Sequence, residues 1–427
     1  MSVREELLSR TVARFAAWLE TSGPYSWDHQ SYYAGPIGRR AKELYYKHPW
    51  LGTLAVSPMV FCEAFVPEGK RLFHGPMRFP IADAHYAMAF GYLSEGQGNP
   101  EFYRRAIRLL EELVASRCPA YQEYCWGYPF DWVTSKGIIK AGTPLITTTP
   151  YAYEAFLLVY QLDGDKKWRS ILDSIVRHAL TDIRDFPVSR TASACSYTPF
   201  DTGGEINASA YRAFLLASAA VELDRWDAIE PAKKNLYFVL ESQRPDGSWF
   251  YSNDGVRNFI DHTHTCFVLK ALAKIERLIP DQRCREAIDR GVEYYLTNLF
   301  DEQGLPIPFS RRPRLTVYRR ELNDYGECLN LCLLLRDRNV EMNRVLNRVL
   351  EDIMARWLKR DGSFRSRELL LGWDNVPMHR WGQSQVFRSL ARLLREQRKG
   401  SSVRTGGEGK PVPEEAIASA RREGRRT

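Results

Sequence analysis

Apolar residues along this chain fall into two alternating rhythms. Segments such as IADAHYAMAFGYL, TPYAYEAFLLVY, NASAYRAFLLASAAV, DHTHTCFVLKALAKI, NDYGECLNLCLLL and RWGQSQVFRSLARLL are apolar nearly all the way round, and begin near Ala82, Thr149, Asn207, Asp261, Asn323 and Arg380. Between them lie segments apolar on a single stripe, among them PEFYRRAIRLLEELVASR, KKWRSILDSIVRHALTDI and MNRVLNRVLEDIMARWLK. The first kind predicts helices packed on two sides, the second helices with one face to water. The spacing of the apolar starts, about 54 to 67 residues, is a repeat of helical hairpins. Thr149 before Pro150, Asn207, Asp261 and Asn323 supply side chains that can accept from first-turn N–H groups.

The ends decide the architecture. An amphipathic helix at the amino end (VREELLSRTVARFAAWLE), five apolar and amphipathic pairs, and a lone apolar helix from Arg380 leave two complementary halves of a sixth hairpin. The fold class expected is all-α, an (α/α)6 toroid spanning residues 1–397 as a single domain, rather than an open solenoid. Connections within hairpins are short (GQGNP, LDGDK, IPDQ), whereas those between hairpins are long, so the site belongs at the amino ends of the inner helices.

Those long loops repeat an aromatic and acidic theme in CWGYPFDW, CSYTPFD and DGSWFYS, echoed by GLPIPFS and DGSFRSR. Flat aromatic faces suit the C–H faces of a sugar, while carboxylates and amides suit its hydroxyls. Asp131, Asp201, Asp261 and His264 are the candidate catalytic residues. Trp126, Tyr128, Trp132, Tyr197, Asn207, Trp249, Tyr251, Asp374, His379, Arg380 and Trp381 are the candidate substrate-binding residues, the last four from the dense stretch LLLGWDNVPMHRWGQSQ. Each has a plainer reading: Asp261 as an N-cap, Trp249 as a plug after an Asp246-Gly247 turn, Asp374 and Arg380 as an internal salt bridge. His262 and His264 stand two apart on a helix and point to opposite sides, which argues against a metal pair, whereas Asp261 can hold His264 in one tautomer. The amino-terminal stretch GPYSWDHQSYYAGPIGRR is either a lid or a strut.

The formal charge of +8 is half supplied by residues 398–427, where eight Lys and Arg face four Asp and Glu. That tail is read as disordered and basic, with a peripheral contact to anionic membrane as one use. Specific nucleic-acid binding is not expected, and no apolar run is long enough to span a bilayer. The start lacks a signal-peptide pattern and the eight cysteines form no CxxC pair, so a cytoplasmic, thiol-reduced protein is expected. Nucleotide-binding glycine motifs, GxSxG, HExxH and DxDD are missing from the sequence, leaving chemistry without cofactor or metal.

The pieces YCWGYPFDW, TPLITTTPYAYEAF, YTPFD followed by INASA, DGSWFYS, IDHTHTCFVLKAL and HRWGQSQVFRSLA resemble a group of bacterial toroid proteins encoded among exopolysaccharide-biosynthesis genes. More distantly the chain is similar to six-hairpin glycosidases, polysaccharide lyases and uronyl epimerases. The resemblance implies a carbohydrate-active protein of polysaccharide biosynthesis or processing, acting on a glycan or lipid-linked oligosaccharide by hydrolysis, elimination or epimerisation. A non-catalytic glycan-binding scaffold and a terpene-cyclase-like enzyme are the alternatives.

Overall fold

The computed structural model describes residues 3–313 and 316–404. Helix α1 (Val3–Ser22) leads into four helices that belong to no hairpin of the repeat: α2 (Ser31–Ala34), α3 (Pro36–Lys47), α4 (Pro49–Phe65) and α5 (Lys70–Phe73). Five hairpins follow: α6 (Pro80–Gln97) with α7 (Pro100–Ala115), α8 (Thr149–Asp163) with α9 (Lys166–Thr181), α10 (Ile206–Glu222) with α11 (Ile229–Glu241), α12 (His262–Leu278) with α13 (Gln282–Asn298), and α14 (Leu322–Leu335) with α15 (Val340–Asp352). The described residues end in α16 (Ser384–Arg404). Each even-numbered helix from α6 to α16 packs on the next, α16 packs on α6, and α1 packs on α16. The ring therefore closes through the two chain ends, as the complementary half-hairpins require.

Inner and outer helices start differently. Asn99, Asp165, Asp281 and Asn339 cap the outer helices α7, α9, α13 and α15, each side chain accepting from a first-turn N–H. Among the inner helices Asp261 caps α12 in this way. Glu205 and Glu321 occupy the same position before α10 and α14 without capping, so their carboxylates are free to turn elsewhere. Asn207 and Asn323, expected as caps, lie inside the first turn instead. Gly98 and Gly164 close the tight hairpin turns after α6 and α8 in the left-handed conformation.

Short antiparallel strands stiffen the long loops. Tyr25–Ser26 (β1) pairs with Met77–Arg78 (β2), Trp132–Thr134 (β3) with Gly137–Ile139 (β4), Asp185–Pro187 (β5) with Ser193–Cys195 (β6), and Ile260–Asp261 (β7) with Phe309–Arg311 (β8). A three-stranded sheet joins Tyr318–Glu321 (β9), Arg367–Leu369 (β10) and Trp373–Asp374 (β11), with β10 central. Its register places Arg367 opposite both Glu321 and Asp374.

Two boundaries differ from expectation. The last inner helix begins at Ser384 rather than Arg380, because Gly382 sits at φ +117° against Leu322, a turn in which a Cβ would meet that side chain at 2.9 Å. The same helix continues to Arg404, so the first residues of the segment read as tail extend it; the rest of that segment, 405–427, lies outside the described residues.

Candidate functional site

The amino ends of the inner helices open into one cavity of about 1060 Å³. One wall is aromatic: Trp132 meets Tyr128 edge-on at 5.4 Å and Tyr197 at 6.1 Å, with Tyr251, Phe259 and Trp381 continuing the rim. The floor is Tyr151, whose hydroxyl meets that of Tyr211, and beneath it Lys270 pairs with a buried Glu327 inside the barrel.

Acids share the same cavity. The Asp261 Oδ1 accepts the backbone N–H of His264 and its Oδ2 lies 2.6 Å from His264 Nδ1. In the neutral ring this bond puts the proton on Nδ1 and leaves Nε2 as the lone-pair nitrogen. The imidazole is fixed edge-on to Tyr251 at 4.7 Å and Phe267 at 5.5 Å. His262 points the other way, into the core, where it bonds the Tyr295 hydroxyl at 2.8 Å and burial pushes its pKa down to about 4.

Next to this pair, on the start of α14, the Thr263 hydroxyl donates to Asp324 Oδ1 at 2.6 Å and accepts from Asn323 Nδ2 at 3.0 Å. Asp324 Oδ2 is buried without a hydrogen-bond partner among the described residues. Burial first, then the charges of Glu321 and Asp261, push this carboxyl well above the usual range, which favours its protonated form. Glu321 is also raised by burial, with Arg367 opposing, and takes a two-point contact from the Arg367 guanidinium at 2.8 and 2.7 Å. Glu205 lines the same cavity, held by Arg257 and Lys136, with its Oε2 unpartnered among the described residues.

Of the residues singled out in the sequence, Tyr128, Trp132, Tyr197, Asp201, Asn207, Tyr251, Asp261, His264, Arg380 and Trp381 line the cavity. Several do so in other roles than expected. Asp201 spends both oxygens on the N–H groups of Tyr197, Thr198 and Gly203 and on the Thr198 hydroxyl, so it shapes its loop rather than offering a reactive carboxylate. Arg380 is buried in an ion pair with Asp28 at 2.6 Å and stacks on Tyr128 at 4.3 Å. Burial raises the pKa of the Tyr128 phenol, which stays neutral.

Five candidates lie away from the cavity. Asp131 bonds Arg39 at 2.7 Å, Lys140 and the Ala141 N–H, which together hold its pKa low and tie α3 to the β3–β4 hairpin. Trp126 and Trp249 are buried, donating their ring N–H groups to the carbonyls of Leu113 and Val239. Trp249 follows the Asp246-Gly247 turn as a plug. Asp374 pairs with a buried Lys70, not with Arg380. His379 bonds the Tyr86 hydroxyl at 2.6 Å, and burial brings its pKa to about 4.

The residues missed were Glu205, Glu321, Asp324 and Arg367. A signal existed: GEINASA and RELNDYG carry the same Glu-apolar-Asn triplet at the start of α10 and α14, placing Glu205 and Glu321 at equivalent rim positions. Arg367 had none, since only the sheet register brings it to Glu321.

The amino-terminal segment walls the cavity's remaining side with His29, Lys42, Tyr45 and Glu63. It is joined to the barrel by ion pairs of Asp28 with Arg380, Arg39 with Asp131, Lys70 with Asp374 and Glu63 with Arg367. These pairs are those of a strut, and the segment also lines the pocket.

No family model matches the chain, and no curated protein matches it. Solved structures do. Cellobiose 2-epimerase from Bacillus thermoamylovorans superposes with a TM-score of 0.59 at 8% identity, covering 75% of this chain and 88% of that one. The GH76 α-mannanase of Bacteroides thetaiotaomicron gives 0.56 at 8%, covering 75% and 87%. Unsaturated glucuronyl hydrolase from Bacillus sp. GL1 gives 0.52 at 12%, covering 73% and 86%. The chain shares its fold with sugar epimerases and glycoside hydrolases.

Proposed function

We propose that this protein is a carbohydrate-active enzyme that moves a proton at a sugar carbon, by epimerisation or elimination, on a glycan or lipid-linked oligosaccharide of polysaccharide biosynthesis or processing. The observation that carries the reading is His264, held in one tautomer by Asp261, beside the buried Asp324 carboxyl, whose surroundings favour its protonated form. A base and an acid set apart by their surroundings are what proton abstraction next to a carbonyl or carboxyl group needs. The aromatic wall and the sugar-active proteins that share the fold support the substrate class.

In this reading the sugar ring stacks against Trp132 and Tyr128. His264 Nε2 takes the proton from the carbon beside the carbonyl or carboxyl group, and the freed electron pair moves to the oxygen that Asp324 Oδ2 hydrogen-bonds. Asp261 stabilises the imidazolium that forms. A solvent proton added to the opposite face, with the imidazolium proton lost to solvent, gives the epimer; departure of the alkoxy group one carbon further on, taking the imidazolium proton, gives the unsaturated product. Hydrolysis is the second reading, and Asp324 itself favours it: a neutral carboxyl can protonate a glycosidic oxygen while His264 activates water.

The test is incubation of the full chain with neutral reducing and uronate-containing oligosaccharides in deuterated water. Deuterium at carbon with an inverted centre, or a new double bond without carbon-bound deuterium, is the expected result, and it disappears in His264→Asn. New reducing ends with neither carbon-bound deuterium nor a double bond would move the assignment to hydrolysis. Binding with unchanged glycan would replace the enzyme by a scaffold.

A further inference from the structure

Helix α4 reads PWLGTLAVSPMVFCEAF, with Glu63 as its single charged residue. A helix apolar on every side is normally buried on every side. This one is not. Its inner face packs Val56 and Met59 against α3 and Tyr32. Its outer face leaves Trp50 90%, Leu51 61%, Leu54 71%, Phe61 58% and Phe65 53% exposed, at positions that follow the helical period. Ile37 and Leu72, on the neighbouring helices α3 and α5, are exposed as well.

The flanks are basic. Helix α3 carries Arg39, Arg40, Lys42 and Lys47 against one acid, Glu43, and His48 precedes α4. Arg40, Lys47 and His48 are exposed. A bare apolar stripe with a Trp at its first turn and cations beside it is the make-up of a helix that lies in the plane of a lipid headgroup region. Among the described residues no helix is long and apolar enough to cross a membrane.

We propose that the outer face of α4 is a docking surface for an anionic lipid bilayer. The charge-free stripe enters the headgroup boundary, and Arg40, Lys47 and His48 meet the lipid phosphates. The same hairpin gives Lys42, Tyr45, Tyr46 and Glu63 to the cavity wall, so a bilayer under α4 lies beside the cavity. Resting on the function proposed above, this narrows the substrate to a glycan still attached to its lipid.

The test is flotation of the full chain with vesicles of phosphatidylcholine, with and without phosphatidylglycerol at about one lipid in three. The unaltered protein floats with the anionic vesicles. The variant carrying Trp50→Ser, Leu54→Ser and Phe61→Ser binds at least about tenfold more weakly, since these exposed groups supply the inserted area. Arg40→Glu with Lys47→Glu loses the preference for anionic lipid. An unaltered protein that stays in solution overturns the proposal, as does a triple-serine variant that floats undiminished. A dimer in light scattering that the triple substitution dissolves, without vesicle binding, would assign the face to a second copy. The triple-serine variant keeps the activity on soluble oligosaccharide, so a lost docking surface and a wrong reaction give different results.

Discussion

Two stretches of the rim are equally rich in polar and aromatic residues, yet they are used differently. The one around Asp261 and His264 brings a ring nitrogen and the Asp324 carboxyl to the cavity wall. In the other, from Trp373 to Gln383, Asp374 and His379 are taken up by Lys70 and Tyr86, and Arg380, though it reaches the cavity wall, is held in an ion pair by Asp28. Density of chemical groups therefore does not mark a site. What marks it is groups whose bonding is completed on one side only, facing space.

The comparison breaks most sharply at His264. His264→Asn keeps the fold, judged by a melting temperature within a few degrees, and lowers kcat about a thousandfold, the scale of a lost general base. Equal activity in the variant would remove the proton-transfer reading. The second rim answers in stability instead. Asp374→Ala leaves Lys70 buried and unpaired and costs about 3–5 kcal/mol, read by denaturant unfolding.

Asp324→Asn lowers kcat about a hundredfold and removes the alkaline limb of the pH–rate profile, because the native carboxyl acts while protonated and fails as pH rises through its raised pKa. The sign for stability is the reverse. Between the unfolded and folded pKa the native state binds the extra proton, so this group costs stability as pH rises, and the amide variant should melt higher than the native protein at pH 8. A variant that melts lower there would contradict the raised pKa. The smallest effect belongs to Asp131, a partly exposed ion pair outside the cavity. Asp131→Asn should change kcat less than about threefold and stability by about 0–1 kcal/mol.

The ring was legible because its signals are local and repeated. Two kinds of apolar periodicity alternate, and unmatched halves at the two ends announce closure. Asp261 with His264 was legible for the same reason, since three residues on one helix start fix their geometry. Asp131 and Asp201 were not distinguishable by residue type: what disqualifies them is Arg39 from α3 and four donors of a single loop. Arg367 reaches Glu321 through a register across strands 46 residues apart, and Asp28 and Lys70 reach Arg380 and Asp374 across more than 300. Such pairings leave no periodic trace in a single chain.

The wedding of α1 to α16 also dictates the order of events at birth. While the ribosome still holds α16, Leu8, Val12 and Phe15 on the first helix lack the Phe387 and Leu390 side of their core. The last stave must emerge before it reaches the first, so until then a nascent chain carries an oily seam uncovered and holds no complete pocket.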